Sequence, residues 1–78
     1  MNIVNLSITQ LTERISNVKY GQINQKEQNV ILFCLDNKPY QGVLQGRNVD
    51  LLLGFGTNLD RRIAARVLID GDATPIGN

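Results

Sequence analysis

Arginines near the end of the sequence are the side chains whose type and spacing best suit binding chemistry. Arg62 and Arg66 stand four residues apart in a run of aliphatic residues, and Arg61 precedes them. An alternating strand would place Arg62 and Arg66 on the same face, opposite Ile63 and its aliphatic neighbours. Guanidinium groups repeated in this way suit contacts to phosphate without readout of bases. A solvated outer face, or ion pairs between subunits, is the alternative that the same pattern allows.

An acidic turn follows these arginines directly. Asp70-Gly71-Asp72 combines glycine, which adopts positive φ at no steric cost, with aspartates that favour turns. We therefore predict a strand over residues 62–69, a hairpin turn, and a last short strand over residues 73–76. A strand at the end of so small a chain is an edge strand, which indicates a partner.

The sequence offers no catalytic or metal-binding constellation. It contains one cysteine, Cys34, and no histidine, so neither an internal disulfide nor a Cys/His metal cluster is available. The usual general base for a serine or cysteine nucleophile is also missing. Cys34 lies in an apolar run, where a buried inert thiol is expected. We expect a protein that is not an enzyme and needs neither cofactor nor metal.

Composition indicates a single globular domain over residues 1–78. Hydrophobic residues make up 42% and charged residues 19% of the chain, and the net charge is +1. This balance favours neither a strongly basic nucleic-acid binder nor a membrane-surface helix. No apolar run reaches the length of a membrane span, and the N-terminus lacks signal-peptide features, so we expect a cytoplasmic protein without a membrane partner. Small chains without disulfide or metal commonly gain stability by oligomerisation.

An N-terminal helix is predicted over residues 7–19. Apolar residues recur there at spacings of three and four, which places them on one stripe facing the core. The stripe consists of Ile8, Leu11, Ile15 and Val18. Ser7 with Gln10 three residues later fits a capping box, and Gly21 stands where a helix commonly ends.

Residues 29–77 are predicted to supply the strands of a small sheet. Residues 30–35 form a continuous apolar run, typical of a strand covered on both faces. Residues 36–39, Asp-Asn-Lys-Pro, favour a turn. The chain resumes in extended form over residues 40–46, where Gly42 indicates a sharp bend or a close approach of backbone.

The last third of the chain can be read in two ways. After a third candidate strand over residues 51–55, alternation favours a strand over residues 62–69. A helix over residues 59–69 is the alternative, because three aliphatic residues there are four apart. They are Leu59, Ile63 and Val67. With the strand, one helix is followed by about five short strands, which predicts a strongly bent small barrel.

Two stretches resemble the Sm-like (Lsm) family. Residues 30–53, with Asn48 four residues after the Tyr-Gln-Gly-Val-Leu segment at 40–44, are similar to the first Sm motif. Residues 67–72, with Ile76 further on, are similar to the second Sm motif. The resemblance covers most of the chain and implies an N-terminal helix on a five-stranded barrel. It also implies a homo-oligomeric ring that binds RNA or single-stranded nucleic acid.

The resemblance implies a nucleic-acid site in the pore of that ring. Its lining residues would be Arg47, Asn48, Asp50, Asp70, Gly71 and Asp72. Asp70 stands where the family's second motif usually has arginine, and no aromatic residue or histidine occupies residues 47–50 to stack on bases. Three carboxylates per subunit would repel phosphate, so Arg62 and Arg66 offer another route, as a basic rim around the ring.

Ring assembly would pair the strand over residues 62–69 of one subunit with residues 73–76 of the next. Such a contact is heterologous and closes into a ring when the rotation permits. The alternative function is a structural or protein-interaction ring with no nucleic-acid role.

Overall fold

Residues 5–23, 28–44 and 57–77 are described by the computed structural model of the chain. They form two helices and four strands, in the order α1 (Ile8–Arg14), β1 (Ile15–Ile23), β2 (Gln28–Leu35), β3 (Lys38–Val43), α2 (Thr57–Asp70) and β4 (Ala73–Pro75). The strands make one antiparallel sheet in the order β1-β2-β3-β4. A mainly β fold with an N-terminal helix is therefore confirmed. The sheet formed by the described residues has four strands and is not closed into a barrel.

Helix α1 begins at the predicted capping box but is shorter than predicted. The backbone N–H of Gln10 donates to Ser7 Oγ at 3.1 Å, and the Ser7 N–H donates to Gln10 Oε1 at 2.8 Å. The helix ends at Arg14, because Ile15 is extended, with φ −85° and ψ 138°, and opens β1. The helix predicted over residues 7–19 is therefore wrong beyond Arg14.

A β-bulge in β1 explains the misleading spacing. The register between β1 and β2 shifts between Ser16 and Lys19, where Asn17 and Val18 lie opposite one residue of β2. Asn17 has φ 55°, a left-handed conformation that asparagine tolerates. The extra residue lets Ile15 and Val18 both pack against the core, three positions apart, which strict strand alternation forbids. A bulged strand thus imitates the spacing of a helix.

The core lies between the sheet and the two helices. Helix α2 packs against α1 and crosses the sheet, with contacts to β1, β3 and β4. The core cluster consists of Leu11, Ile15, Ile31, Phe33, Leu35, Leu44, Ile63, Ala64, Ala65, Val67 and Leu68. Leu11 and Ile15 are 0% and 1% exposed, which confirms their predicted burial.

The hairpin between β2 and β3 turns on two residues. Asp36 and Asn37 have φ 51° and 67°, and positive φ at both central residues is the requirement of a type I′ turn. The predicted turn is confirmed at these two positions, whereas Lys38 and Pro39 already belong to β3. Arg14 forms a bidentate ion pair with Asp36 in this turn. Its Nε donates to Asp36 Oδ1 at 3.0 Å, and its Nη2 contacts Asp36 Oδ2. The pair fastens the end of α1 to the hairpin.

Residues 57–70 form helix α2, so the strand predicted over residues 62–69 is wrong and the helical alternative is confirmed. The pattern of buried side chains follows the period of a helix and not that of a strand. Ala64 and Leu68 are buried, whereas Ile69 is 45% exposed. A strand would have buried Ile69 together with Ile63 and exposed the other two. Alanine, leucine and arginine are also strong helix formers.

A Schellman motif ends α2. The Asp72 N–H donates to the Val67 carbonyl at 3.0 Å, and the Gly71 N–H donates to the Leu68 carbonyl at 3.4 Å. Gly71 has φ 83°, the left-handed conformation that this motif requires. The predicted positive φ is therefore confirmed, but it closes a helix and not a hairpin.

Strand β4 pairs with β3 of its own chain. Its register places Ala73 opposite Gly42 and Pro75 opposite Tyr40. The Ile76 N–H donates to the Pro39 carbonyl at 2.9 Å. The predicted pairing of this strand with a strand over residues 62–69 of a neighbouring subunit is wrong, because those residues are helical.

Helix α2 packs closely on the sheet at Gly42. A Cβ placed on Gly42 would overlap Val67 Cγ1 and lie 3.3 Å from Ile31 Cγ2. Of the two predicted possibilities, a sharp bend or a close approach of backbone, the structure shows a close approach, made by the Val67 side chain of α2.

Candidate nucleic-acid interface

The arginines of α2 form an exposed basic face. Arg62 and Arg66 are both exposed and four residues apart, so their Cβ atoms lie about 5–6 Å from each other on one side of the helix. The shared face predicted for them is confirmed, although a helix and not a strand provides it. Arg61 is exposed as well, one residue nearer the start of α2. The three guanidinium groups therefore come from the second and third turns of the helix.

Neutralisation by neighbouring carboxylates is limited. Among the described residues the single ion pair joins Arg14 to Asp36, so no described carboxylate pairs with an arginine of α2. Asp70 lies four residues beyond Arg66, on the same side of the helix but in its last turn. The positive charge is consequently concentrated in the middle of α2, between Asp60 in the first turn and Asp70 at the end.

The predicted pore residues are not brought together by the described structure. Arg47, Asn48 and Asp50 lie outside the described residues, as does the candidate strand over residues 51–55. Asp70, Gly71 and Asp72 are exposed at the C-terminal end of α2. The negative end of the helix dipole adds to their two carboxylates there. This end of α2 is unfavourable for phosphate, in agreement with the repulsion expected from the sequence.

Tyr20 lies beside the opposite end of α2. It is 40% exposed, and its cross-strand partner in β1–β2 pairing is the fully buried Ile31, so its ring is on the face that carries the helices. Partial burial, and then the nearby Asp60 carboxylate, raise the pKa of the Tyr20 phenol. The phenol is therefore neutral throughout the physiological range. Sequence reasoning missed this residue, although a lone aromatic in a polar stretch was a usable signal.

Asp60 lies on the core-facing side of α2. It belongs to the first turn of α2, where the helix dipole stabilises negative charge. Its Oδ1 is buried, with no hydrogen-bond partner among the described residues. At about 100° per residue, Arg62 lies roughly 160° round the helix from Asp60, so Asp60 faces the core whereas Arg62 and Arg66 face outward.

Other kinds of site find little support in the described ranges. Within them, no three histidine, cysteine, aspartate or glutamate side chains are placed to hold a metal ion. Cys34 is half-buried and free, so the burial expected for it is only partial. No helix in the described part of the chain has the length and apolar character to cross a membrane.

The described arrangement thus offers guanidinium donors on the outer face of α2, between a carboxylate in its first turn and another at its end. Comparisons with family models, with curated proteins and with solved structures found no match to this chain.

Proposed function

We propose that this chain is a non-catalytic nucleic-acid-binding module that holds the phosphate backbone through the exposed arginines of α2. The observation that carries the proposal is the clustering of Arg61, Arg62 and Arg66 on the surface of one helix, without a described carboxylate paired to any of them. A guanidinium group offers five donors in a planar fork that matches phosphate. Backbone contacts of this kind fix position without reading sequence.

The expected affinity is modest and dependent on salt. With a net charge of only +1, the chain as a whole attracts nucleic acid weakly, so the local cluster must supply the binding. Three phosphate contacts to a single strand predict a slope of log K against log salt of about −2, at roughly −0.7 per contact. Binding should therefore be measured at low ionic strength.

Titration of a short single-stranded RNA at several salt concentrations tests the proposal. Replacing Arg62 and Arg66 together with glutamine should weaken binding and flatten the slope by about 1.4, the share of two contacts. Lys38→Gln is the matched control, because Lys38 is an exposed cation beside the β2–β3 turn. Asp70→Asn should strengthen binding by removing a carboxylate near Arg66. An unchanged slope in the double variant would overturn the assignment to α2.

A homo-oligomeric ring with a five-stranded barrel is the assembly that the Sm-like resemblance adds to this proposal. What supports a ring here is the open sheet, whose described edges are β1 and β4. Pairing β4 of one subunit with β1 of the next would be a heterologous contact of the ring-forming kind. Light scattering at micromolar concentration tests the oligomeric state, and a stable monomer would refute the ring. The cytoplasmic location expected from the sequence belongs to the same proposal.

A protein-interaction role is the second candidate, favoured by one observation. Ile69 is 45% exposed and shares the outer face of α2 with Arg62 and Arg66. An apolar side chain next to two cations suits a partner that has both carboxylates and an apolar contact. Ile69→Ser should leave RNA binding unchanged if phosphate is the ligand. Loss of an oligomer on that substitution, with no RNA binding by the unmodified protein, would favour this second function.

A further inference from the structure

The sheet has a second face, on the side away from the helices. Residues directly opposite each other in an antiparallel pair share a face, so the pairing register assigns the described strand residues to one side or the other. Ile31, Phe33 and Leu35 of β2 lie in the core under the helices. Leu32 and Cys34 alternate with them and therefore point away from the core. We name this surface the outer sheet face, consisting of Leu32, Cys34, Pro39, Gln41 and Ile76.

Apolar side chains dominate the outer sheet face. Cys34 lies opposite Pro39, and the Ile76 N–H donates to the Pro39 carbonyl, which continues the β3–β4 register to Ile76. Ile76 is 43% exposed, Pro39 is exposed, and Leu32 and Cys34 remain partly accessible. Val30, the preceding residue of β2 on this side, is 4% exposed. The accessible apolar surface therefore runs from Leu32 to Ile76.

The outer sheet face carries little charge. Lys19 lies opposite Leu32 on the edge strand β1. Among the described strand residues, it is the single charged side chain that the register places on this side. Gln41, opposite Leu32 on β3, is neutral. A strongly charged partner such as nucleic acid would thus find little to bind here, whereas a second copy would offer the same nearly neutral, apolar surface.

We infer that the outer sheet face is the docking surface for a second copy of this chain, with the two sheets packed face to face about a two-fold axis. Such a contact would cover both faces of β2, as the continuous apolar run at 30–35 indicates. It leaves the outer face of α2 and the edges of the sheet free. The inference is therefore independent of phosphate binding by the arginines and of pairing between strand edges.

The size of this face makes the dimer a weak one. Six residues, the length of β3, span about 20 Å at about 3.3 Å per residue, and four strands span about 19 Å at about 4.8 Å each. The longer β1 offsets the shorter β4, so two faces together cover roughly 800 Å² in projection. Interfaces below about 1,200 Å² belong to weak or transient complexes. The dimer should therefore form in the micromolar range or above and dissociate on dilution.

The single cysteine of the chain reports on this contact. Cys34 is free and lies on the outer sheet face, so a second copy would cover its thiol. Alkylation of Cys34 in the unmodified protein should slow as the protein concentration rises from about 1 μM to about 1 mM, while light scattering shows monomers giving way to dimers. A monomer at every concentration would overturn the inference. An oligomer in which Cys34 reacts at the rate of the dilute protein would also overturn it.

Matched substitutions locate the contact. Ile76→Ser should weaken the dimer by roughly 10- to 80-fold, because both copies lose an apolar side chain that association would bury. Ile69→Ser is the control, since Ile69 is 45% exposed on the outer face of α2. Gln41→Lys should weaken the dimer by at least about 10-fold by adding a cation to each copy within the contact, whereas Thr9→Lys adds the same charge at an exposed position of α1 and should leave it intact. Circular dichroism confirms that each variant is folded. Equal effects within either pair would place the contact elsewhere and refute the inference.

Discussion

Gly42→Ala should destabilise the protein by overpacking, because α2 rests on the backbone of β3 at this residue. The added methyl would overlap Val67 Cγ1, far inside the roughly 3.5–4.0 Å optimum for carbon atoms, and would lie 3.3 Å from Ile31 Cγ2. A change of the Val67 rotamer would not relieve the overlap without a cost in energy, since a valine in a helix has one strongly preferred rotamer. Overpacking of this kind costs about 1–3 kcal/mol.

A second substitution locates the clash. Val67→Ala alone removes two methyl groups from a buried site, at about 0.5–1.5 kcal/mol for each. Combined with Gly42→Ala, it also removes the overlapping atom, so part of the vacated space receives the new methyl. The double variant should therefore be less destabilised than the sum of the single variants, by roughly 1–3 kcal/mol.

Urea unfolding followed by circular dichroism gives the four free energies of unfolding that this cycle needs. Gly21→Ala is the control, because a Cβ at Gly21 meets no atom within 4 Å and this glycine is not at positive φ. Its effect should stay within about 0.5 kcal/mol. If Gly42→Ala behaves like this control, or if the two effects simply add, α2 does not lie on β3 at this position.

Three further outcomes are expected. Gly71→Ala should cost about 1–2 kcal/mol by urea unfolding, because alanine is strained at φ 83°, while open space around the new methyl rules out a clash. Asn37→Gly should stabilise the type I′ turn and raise the melting temperature by a few degrees, whereas a lower value would contradict the turn. The raised pKa of Tyr20 means that its contribution to stability is full below about pH 10 and is lost as pH rises above that value. Tyr20→Phe should abolish this alkaline loss, and equal alkaline unfolding of both proteins would contradict it.

Local signals were read correctly from the sequence. The capping box of Ser7 and Gln10 involves neighbouring residues and carries its own geometry, so no tertiary information was needed. The apolar run at 30–35 is long enough to specify β2 by composition. Gly42 was marked as special because a glycine inside a strand often indicates a sharp bend or a close approach, although the sequence did not decide between them.

Two elements were misread because one spacing fits two structures. Ile63 and Val67 are four apart, a separation that places them on one side of a strand and also of a helix. Ala64 and Leu68 decide the matter by their burial, which depends on what α2 packs against. In β1, the bulge at Asn17 moved Val18 to the core side and so extended a helical pattern beyond the end of α1. Neither outcome follows from local propensity alone.

The contacts that hold the helices on the sheet join residues distant in sequence. Arg14 meets Asp36 across 22 positions, and Val67 packs on Gly42. Such pairs arise only after the helices have docked on the sheet. A single sequence contains both partners, but nothing in the spacing of either pair reveals the other.

Residues 62–69 form part of a helix and not the predicted strand, and this difference changes the surroundings of the arginines more than their common face. Arg62 and Arg66 share a face in either structure, so the basic surface survives the correction. On a helix, however, the outer face also carries Ile69 and ends at Asp70, where the carboxylate and the negative end of the helix dipole are both unfavourable for phosphate. The favourable part of this face is therefore its middle, around Arg62 and Arg66. Asp70→Asn is the substitution that should extend it towards the end of the helix.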